Sequence, residues 1–249
     1  MASDVSSQTS DLPAPVRAFG SVALVVVLVL LCASIFVSFG TAIFRTVGID
    51  RGSALYIALR SGSQFVGFGV AAVGYLTVTD QWELVYRRVP SLRDLKWITA
   101  GFGVLLVLYL AINVGLTALG IDSGDSAVAA TAEGQPVLLL YYIPVTLLLV
   151  APTEELVFRG VVQGLFRREY GVPFAIAGSS LTFASIHATS FTGEGAVVSL
   201  IVVLILGGVL GIVYEKSESL VVPVVAHGLY NTVQFAATYA MAVGLVGSV

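Results

Sequence analysis

The sequence predicts an all-α fold, a polytopic membrane bundle of seven or eight transmembrane helices. Two observations carry that prediction. Of 249 residues, 57% are hydrophobic and 11% are charged, against about 25% charged in a soluble domain. So few charges cannot cover a water-facing surface, and the mean hydropathy is +0.96. The apolar residues also collect in runs long enough for helices of about 20 residues, the length that crosses the hydrocarbon core.

Taken in order, residues 1–17 are polar and proline-containing and read as a loose tail. Residues 18–249 form a single membrane domain. Its first span is 18–41, centred on SVALVVVLVLLCASIFVSFG. It shows no small-residue cleavage site, so it reads as a retained helix rather than a signal peptide. The second span is about 54–78, with Arg60 near one end. The third is about 97–119, with Trp97 as an interfacial anchor. The fourth starts near Pro136, the fifth is about 172–189 and the sixth about 196–214. The last stretch, 219–249, is too long for one perpendicular span. Pro223 would allow it to break into a pair, hence seven or eight.

Loop charge sets the orientation. Segment 80–96 carries Arg87, Arg88, Arg93 and Lys96, and the loop after the fourth span carries Arg167 and Arg168. Segment 120–136 holds Asp122, Asp125 and Glu133 and no basic residue. The positive-inside rule puts the first two in the cytoplasm and the third outside, with the amino terminus cytoplasmic. Arg45 and Arg51 run against this assignment. The chain then reads as a multi-pass cell-membrane protein, with lipid as its first partner.

Several function classes are excluded. The formal charge is -3 and there is no Lys/Arg-rich stripe, so nucleic acid is not a partner. A single cysteine, Cys32, cannot form an intramolecular disulfide or a cysteine metal cluster. There is no Walker motif and no glycine-rich dinucleotide fingerprint. Gly207, Gly208 and Gly211 make a small-residue face suited to close helix packing.

The informative residues are polar ones in apolar surroundings. The stretch TEELVFRG at 153–160 puts Glu154 and Glu155 after a long apolar run, with Arg159 at i+4 from Glu155. The only histidines, His187 and His227, lie in LTFASIHATSF and VVPVVAHGLYNTV, and Asn231 follows His227 at i+4. An ionisable residue within the membrane is by default a candidate functional group. At 1.5 Å per residue, Glu154 is about 20 Å from Arg167, His187 about 24 Å from Gly171, and Asn231 about 20 Å from Glu218. These three loops are assigned to one side, so three helices can bring Glu154, His187, His227 and Asn231 to one layer.

Two hydrolytic arrangements fit such a layer. A carboxylate beside an imidazole can take a proton from water, while a second imidazole and an amide donate to a developing oxyanion. Alternatively, Glu154, His187 and His227 could hold Zn²⁺ with a position left for water. Ser185, two residues before His187, is a weak nucleophile candidate. Two other readings stand beside hydrolysis. A proton-coupled transporter also uses buried Glu and His on broken helices. In a non-catalytic scaffold, Glu155 and Arg159 would be an intrahelical pair and Asn231 an interhelical hydrogen-bonding residue.

The same residues carry a resemblance. Glu154-Glu155-x-x-x-Arg159, Phe183-x-x-x-His187 and His227-x-x-x-Asn231 resemble, in order, the three-part signature of the CAAX-processing and bacteriocin-processing (CPBP) intramembrane endopeptidases, over about 136–245. The resemblance implies about eight helices around a catalytic cavity, and a membrane-associated protein or peptide as substrate, prenylated in the CAAX branch. It implies that Glu154 with His187 activates water and that His227 and Asn231 hold the oxyanion. Glu155, Arg159 and Phe183 would support the site. The family is widely labelled metalloprotease, and a metal-free mechanism is also argued for it. The cofactor is therefore none or Zn²⁺, and Asn231 in the fourth role leans the reading to none.

Overall fold

A computed structural model describes residues 13–246. Most of the expected tail thus lies outside the described residues. Its last part is helical, because α1 (Ala14–Thr46) already begins after Pro13, with Pro15 in the first turn, where a missing N–H costs nothing. The helices that follow are α2 (Ala54–Val78), α3 (Leu92–Ala118), the short α4 (Ala127–Ala132), α5 (Val137–Tyr170), α6 (Val172–Ile186), α7 (Ala196–Ser217) and α8 (Val221–Ala242). Strands β1 (Asp125–Ser126) and β2 (Phe191–Thr192) pair antiparallel across two loops.

Four helices, α1, α3, α5 and α7, are long and apolar enough to cross a membrane. That is fewer than the seven or eight expected. The shortfall has a physical cause. Helix α2 carries Arg60, Ser61, Ser63 and Gln64, and α8 carries His227, Asn231, Thr232 and Gln234. Both are long helices whose polar residues lower their hydropathy: Ser61 and Gln64 on α2 and His227, Asn231 and Gln234 on α8 line an internal cavity, and Arg60 is exposed. Helix α6 is apolar but only 15 residues long. The last stretch is neither one long rod nor a broken pair. Pro223 falls in the first turn of α8, where it is tolerated, and the helix runs unbroken to Ala242.

Local chemistry fixes the ends. Ser53 caps α2 by accepting from the Tyr56 amide. Ser91 and Asp94 form a reciprocal capping box on α3. Gly171, at φ 79°, takes the left-handed turn that reverses the chain between α5 and α6. Helix α1 is apolar all round and buries one stripe, Val22, Val25, Val29 and Ala33, while Leu24, Leu31, Ile35 and Phe39 face outward. It lies against α2 at Gly67, where a Cβ would stand 2.6 Å from the Cys32 carbonyl oxygen.

The chain alternates between two ends of the bundle. At one, Arg17 pairs with Glu169, Arg167 donates to the Leu84 carbonyl, and the Leu220 amide donates to Tyr86. At the other, β1 pairs with β2, and Gln135 donates to the Gly52 carbonyl. These are the segments that the charge pattern assigns to opposite faces.

Candidate active site

Helix α5 is irregular around the glutamates. Residues 146–150 and 156–162 are wide π turns, flanking a short α segment, Ala151–Glu155. Pro152 has no N–H to give to Leu148 and Pro144 none to give to Leu140, so the ladder must shift here. Such π-bulges are frequent at functional sites. Glu154 and Glu155 sit on the α segment between them, about 100° apart around the helix.

Glu154 faces a cavity of about 580 Å³. Its Oε1 is 3.9 Å from His187 Nε2 and its Oε2 is 3.8 Å from His227 Nε2. Glu155 does not line that cavity. It is fully buried, with Oε1 2.9 Å from His227 Nδ1 and Oε2 3.0 Å from Arg159 Nε. His227 therefore stands between the two carboxylates, one on each ring nitrogen. Asn231, one turn on along α8, places its amide nitrogen 3.1 Å from His227 Nε2. With Nδ1 donating to Glu155, Nε2 accepts from that amide.

His187 lies just past the last turn of α6. Its Nδ1 is 2.8 Å from the Phe183 carbonyl oxygen. A carbonyl can only accept, so Nδ1 carries the proton and the Nε2 lone pair faces Glu154 and the cavity. Phe183 packs against the His187 ring at 4.4 Å between centroids, tilted by 53°, and supports the Arg159 guanidinium at 5.3 Å. Glu154, Phe183, His187, His227 and Asn231 thus share one cavity wall, with Glu155 and Arg159 directly behind it. Ser185 stands apart: it is exposed, and its hydroxyl donates to the Leu181 carbonyl.

Behind the site lie Ser179, Gln163 and Glu215, which were not singled out in the sequence, and Arg167, which figured there only as a loop charge. Arg159 Nη1 donates to Ser179 Oγ at 3.4 Å, Ser179 donates to Gln163 Oε1 at 3.1 Å, and Gln163 Nε2 donates to Glu215 at 2.8 Å. Arg167 closes the chain on Glu215 at 2.9 Å. The i, i+4, i+8 spacing of Arg159, Gln163 and Arg167 on one helix face was the available signal. The glycine face of α7 makes room for this chain. A Cβ on Gly211 would stand 2.9 Å from Gln163 Oε1, and one on Gly207 would touch Phe183, Ser180 and Arg159.

Zinc is held by His nitrogen and carboxylate oxygen at about 2.0–2.1 Å. Here His227 Nε2 already accepts from Asn231, and Glu154 meets the two imidazoles through different oxygens. Among the described residues, no group of three or more His, Cys, Asp or Glu is placed to hold a metal ion. As arranged, the three candidate ligands do not make a zinc site, and no step below runs through a metal.

Residues 136–233 match the family model described as Type II CAAX prenyl endopeptidase Rce1-like. This stretch is similar to the CAAX-protease superfamily. The match covers less than half of the chain, and it includes every motif residue named above. The coarser superfamily is what it supports, rather than the CPBP branch within it. Among curated proteins and among solved structures no match was found.

Proposed function

We propose that this protein is an intramembrane endopeptidase that hydrolyses a peptide bond of a membrane-associated protein or peptide with water activated by Glu154 and His187. The observation that carries the reading is the meeting of Glu154, His187, His227 and Asn231, from three separate stretches of chain, on one wall of an internal cavity. The superfamily match over the same residues supports it.

The geometry suggests the steps. At 3.9 Å, Glu154 Oε1 and His187 Nε2 are too far apart for a direct hydrogen bond and close enough for one water to touch both. That water gives a proton to Glu154, and its oxygen attacks the scissile carbonyl carbon. The carbonyl π pair moves onto oxygen. The Asn231 amide, held against His227 Nε2 while Glu155 fixes the ring through Nδ1, donates its second N–H to that oxyanion. The tetrahedral intermediate collapses, the C–N bond breaks, and Glu154 returns its proton to the leaving amine. The products are one carboxylic acid and one amine, and the acid's proton then passes to the amine to leave a carboxylate and an ammonium.

Glu154→Gln keeps size and hydrogen bonding but cannot take the proton. Loss of a general base lowers turnover by about 10²–10⁴-fold. The purified wild type and E154Q, incubated in detergent with membrane and prenylated peptides, should differ by at least that much in products read by mass spectrometry, with the same melting temperature. A fully active E154Q would overturn the reading. Cleavage by wild type that is lost with a chelator and restored by zinc would replace the metal-free mechanism while keeping the residues.

A further inference from the structure

The cavity has a direction. On α5 it is lined by Tyr142, Thr146, Val150 and Glu154, and by nothing later in that helix. On α8 its lining begins at His227 and runs forward to Phe235. Helix α2 contributes only its first half, at Ser61, Gln64 and Phe65, and α3 only its second, from Leu105 to Leu116. All these half-helices lie on the same side of Glu154, the side of the β1–β2 ladder. The lining continues into the loops there, where Ser123 and Thr189 are exposed. In the opposite direction the bundle is filled. Phe158, Arg159, Gln163, Phe166 and Tyr214 are buried there.

The rim at that end is a packed structure. A Cβ on Gly124 would stand 2.7 Å from the Ala196 Cα, and one on Gly195 would strike the Asp122 carbonyl and Ser123. The two loops are therefore locked together around the opening rather than draped across it.

Charge separates the two ends. Arg17, Arg87, Arg88, Arg93, Lys96, Arg167, Arg168 and Lys216 all lie at the filled end, whereas toward the open end there are Arg51 in a loop, Arg45 in the last turn of α1 and Arg60 in the second turn of α2. The open end carries Asp122, Asp125, Glu133 and Glu194. Gathering the segments into two ends thus sets eight basic residues at the filled end against Arg45, Arg51 and Arg60 toward the open end. Lys/Arg-rich ends stay in the cytoplasm.

We propose that substrate reaches Glu154 from the non-cytoplasmic side. Its class is then an extended, neutral or basic stretch of a membrane-anchored polypeptide exposed outside the cytoplasm, not a chain end presented from the cytosol. This rests on the endopeptidase reading for what happens at Glu154. The chemistry of the route fits an extended backbone. Ser61, Gln64, Asn113 and Gln234 line it with hydroxyl and amide groups, among Phe65, Phe191 and Phe235. An acidic rim without Lys or Arg on the 120–136 and 187–195 loops repels an acidic segment and attracts a basic one.

The test uses the full chain with Cys32→Ser as background and single cysteines at Thr189 (mouth), Gln64 (cavity wall) and Arg168 (filled end). A membrane-impermeant maleimide is applied to intact cells, then to opened cells. Thr189→Cys and Gln64→Cys should label in intact cells, and Arg168→Cys only after opening. Labelling of Arg168→Cys alone in intact cells would overturn the orientation. Gln64→Cys that labels only with Arg168→Cys, or not at all, would overturn the entry route. Labelling of Thr189→Cys should also bring loss of Glu154-dependent peptide cleavage, and unchanged cleavage would overturn the route as well. Accessibility is read without any proteolysis. An inactive protein with the expected labelling therefore counts against the endopeptidase reading and not against the direction of the cavity.

Discussion

The half of the bundle between Glu154 and the 120–136 loop encloses a cavity of about 580 Å³, whereas the half between Glu155 and Arg167 is packed around a chain of hydrogen-bonded side chains. Both halves are polar inside, and both draw on α5. They differ in how far the polar atoms satisfy one another, although in the packed half Arg159 Nη2 and Ser180 Oγ are buried without a hydrogen-bond partner. Glu155 has its oxygens on Arg159 and His227 at 3.0 and 2.9 Å. Glu154 has no partner closer than 3.8 Å among the ion pairs it makes. A satisfied group holds structure, and an unsatisfied one beside a cavity is available to a water or a substrate. Adjacent carboxylates thus serve opposite ends.

The sharpest way to break that comparison is to exchange the substitution. E154Q should lose activity by the factor given above and keep its stability. Glu155→Gln should do something different. It leaves Arg159 buried without its carboxylate, and breaking a buried pair costs about 3–5 kcal/mol. The melting temperature in detergent should fall, and cleavage should fall with it because His227 loses its Nδ1 partner. Removing both charges, with Glu155→Gln and Arg159→Met together, should recover much of the stability and little of the activity. If E155Q melts like wild type while E154Q unfolds, the assignment of the two halves is reversed.

Much of this division was legible in the chain, and the limits are physical. The spacing of Glu155 and Arg159 is that of an intrahelical pair, and it forms. The depth argument placed Glu154, His187, His227 and Asn231 in one layer, and they meet. It could not say that Glu154 and Glu155 part company, because an ideal helix sets neighbours only about 100° apart. The π turns on either side shift the phase of Ala151–Glu155 against the rest of α5, and so decide which glutamate meets the cavity, while the prolines announce a disturbance without naming its form. The chain through Ser179 and Gln163 was hidden because Ser and Gln on apolar helices usually bond locally or to a neighbouring helix. The number of spans was misjudged for a related reason. Hydropathy identifies helices that face lipid, and α2 and α8 carry polar residues, several of them lining the cavity.

The next effect sharpens the comparison within the cavity half. Asn231 touches His227 at its Nε2 and lines the cavity, so its amide should matter only when an oxyanion forms. Loss of one such donor costs about 10²–10³ in turnover. Asn231→Ala should lower kcat by that factor and leave KM nearly unchanged, because the lost contact strengthens in the transition state. A rise in KM with kcat intact would make Asn231 a binding residue and remove it from the proposed chemistry.

The smallest effect belongs to Ser185, a hydroxyl two residues from His187 that lies in neither half. It is exposed, and its Oγ donates to the Leu181 carbonyl of its own helix at 2.7 Å. Such a back-bonded hydroxyl satisfies itself inside an apolar helix and contributes little that alanine would not. It faces away from the cavity, so it cannot reach a carbonyl held beside Glu154. Ser185→Ala should therefore leave both cleavage and melting temperature at wild-type values, in the same detergent assay that separates E154Q from E155Q. A loss of cleavage in Ser185→Ala with unchanged melting would mean that the nucleophile is a hydroxyl outside the cavity wall. Glu154 would then no longer be the group that turns water into the attacking species.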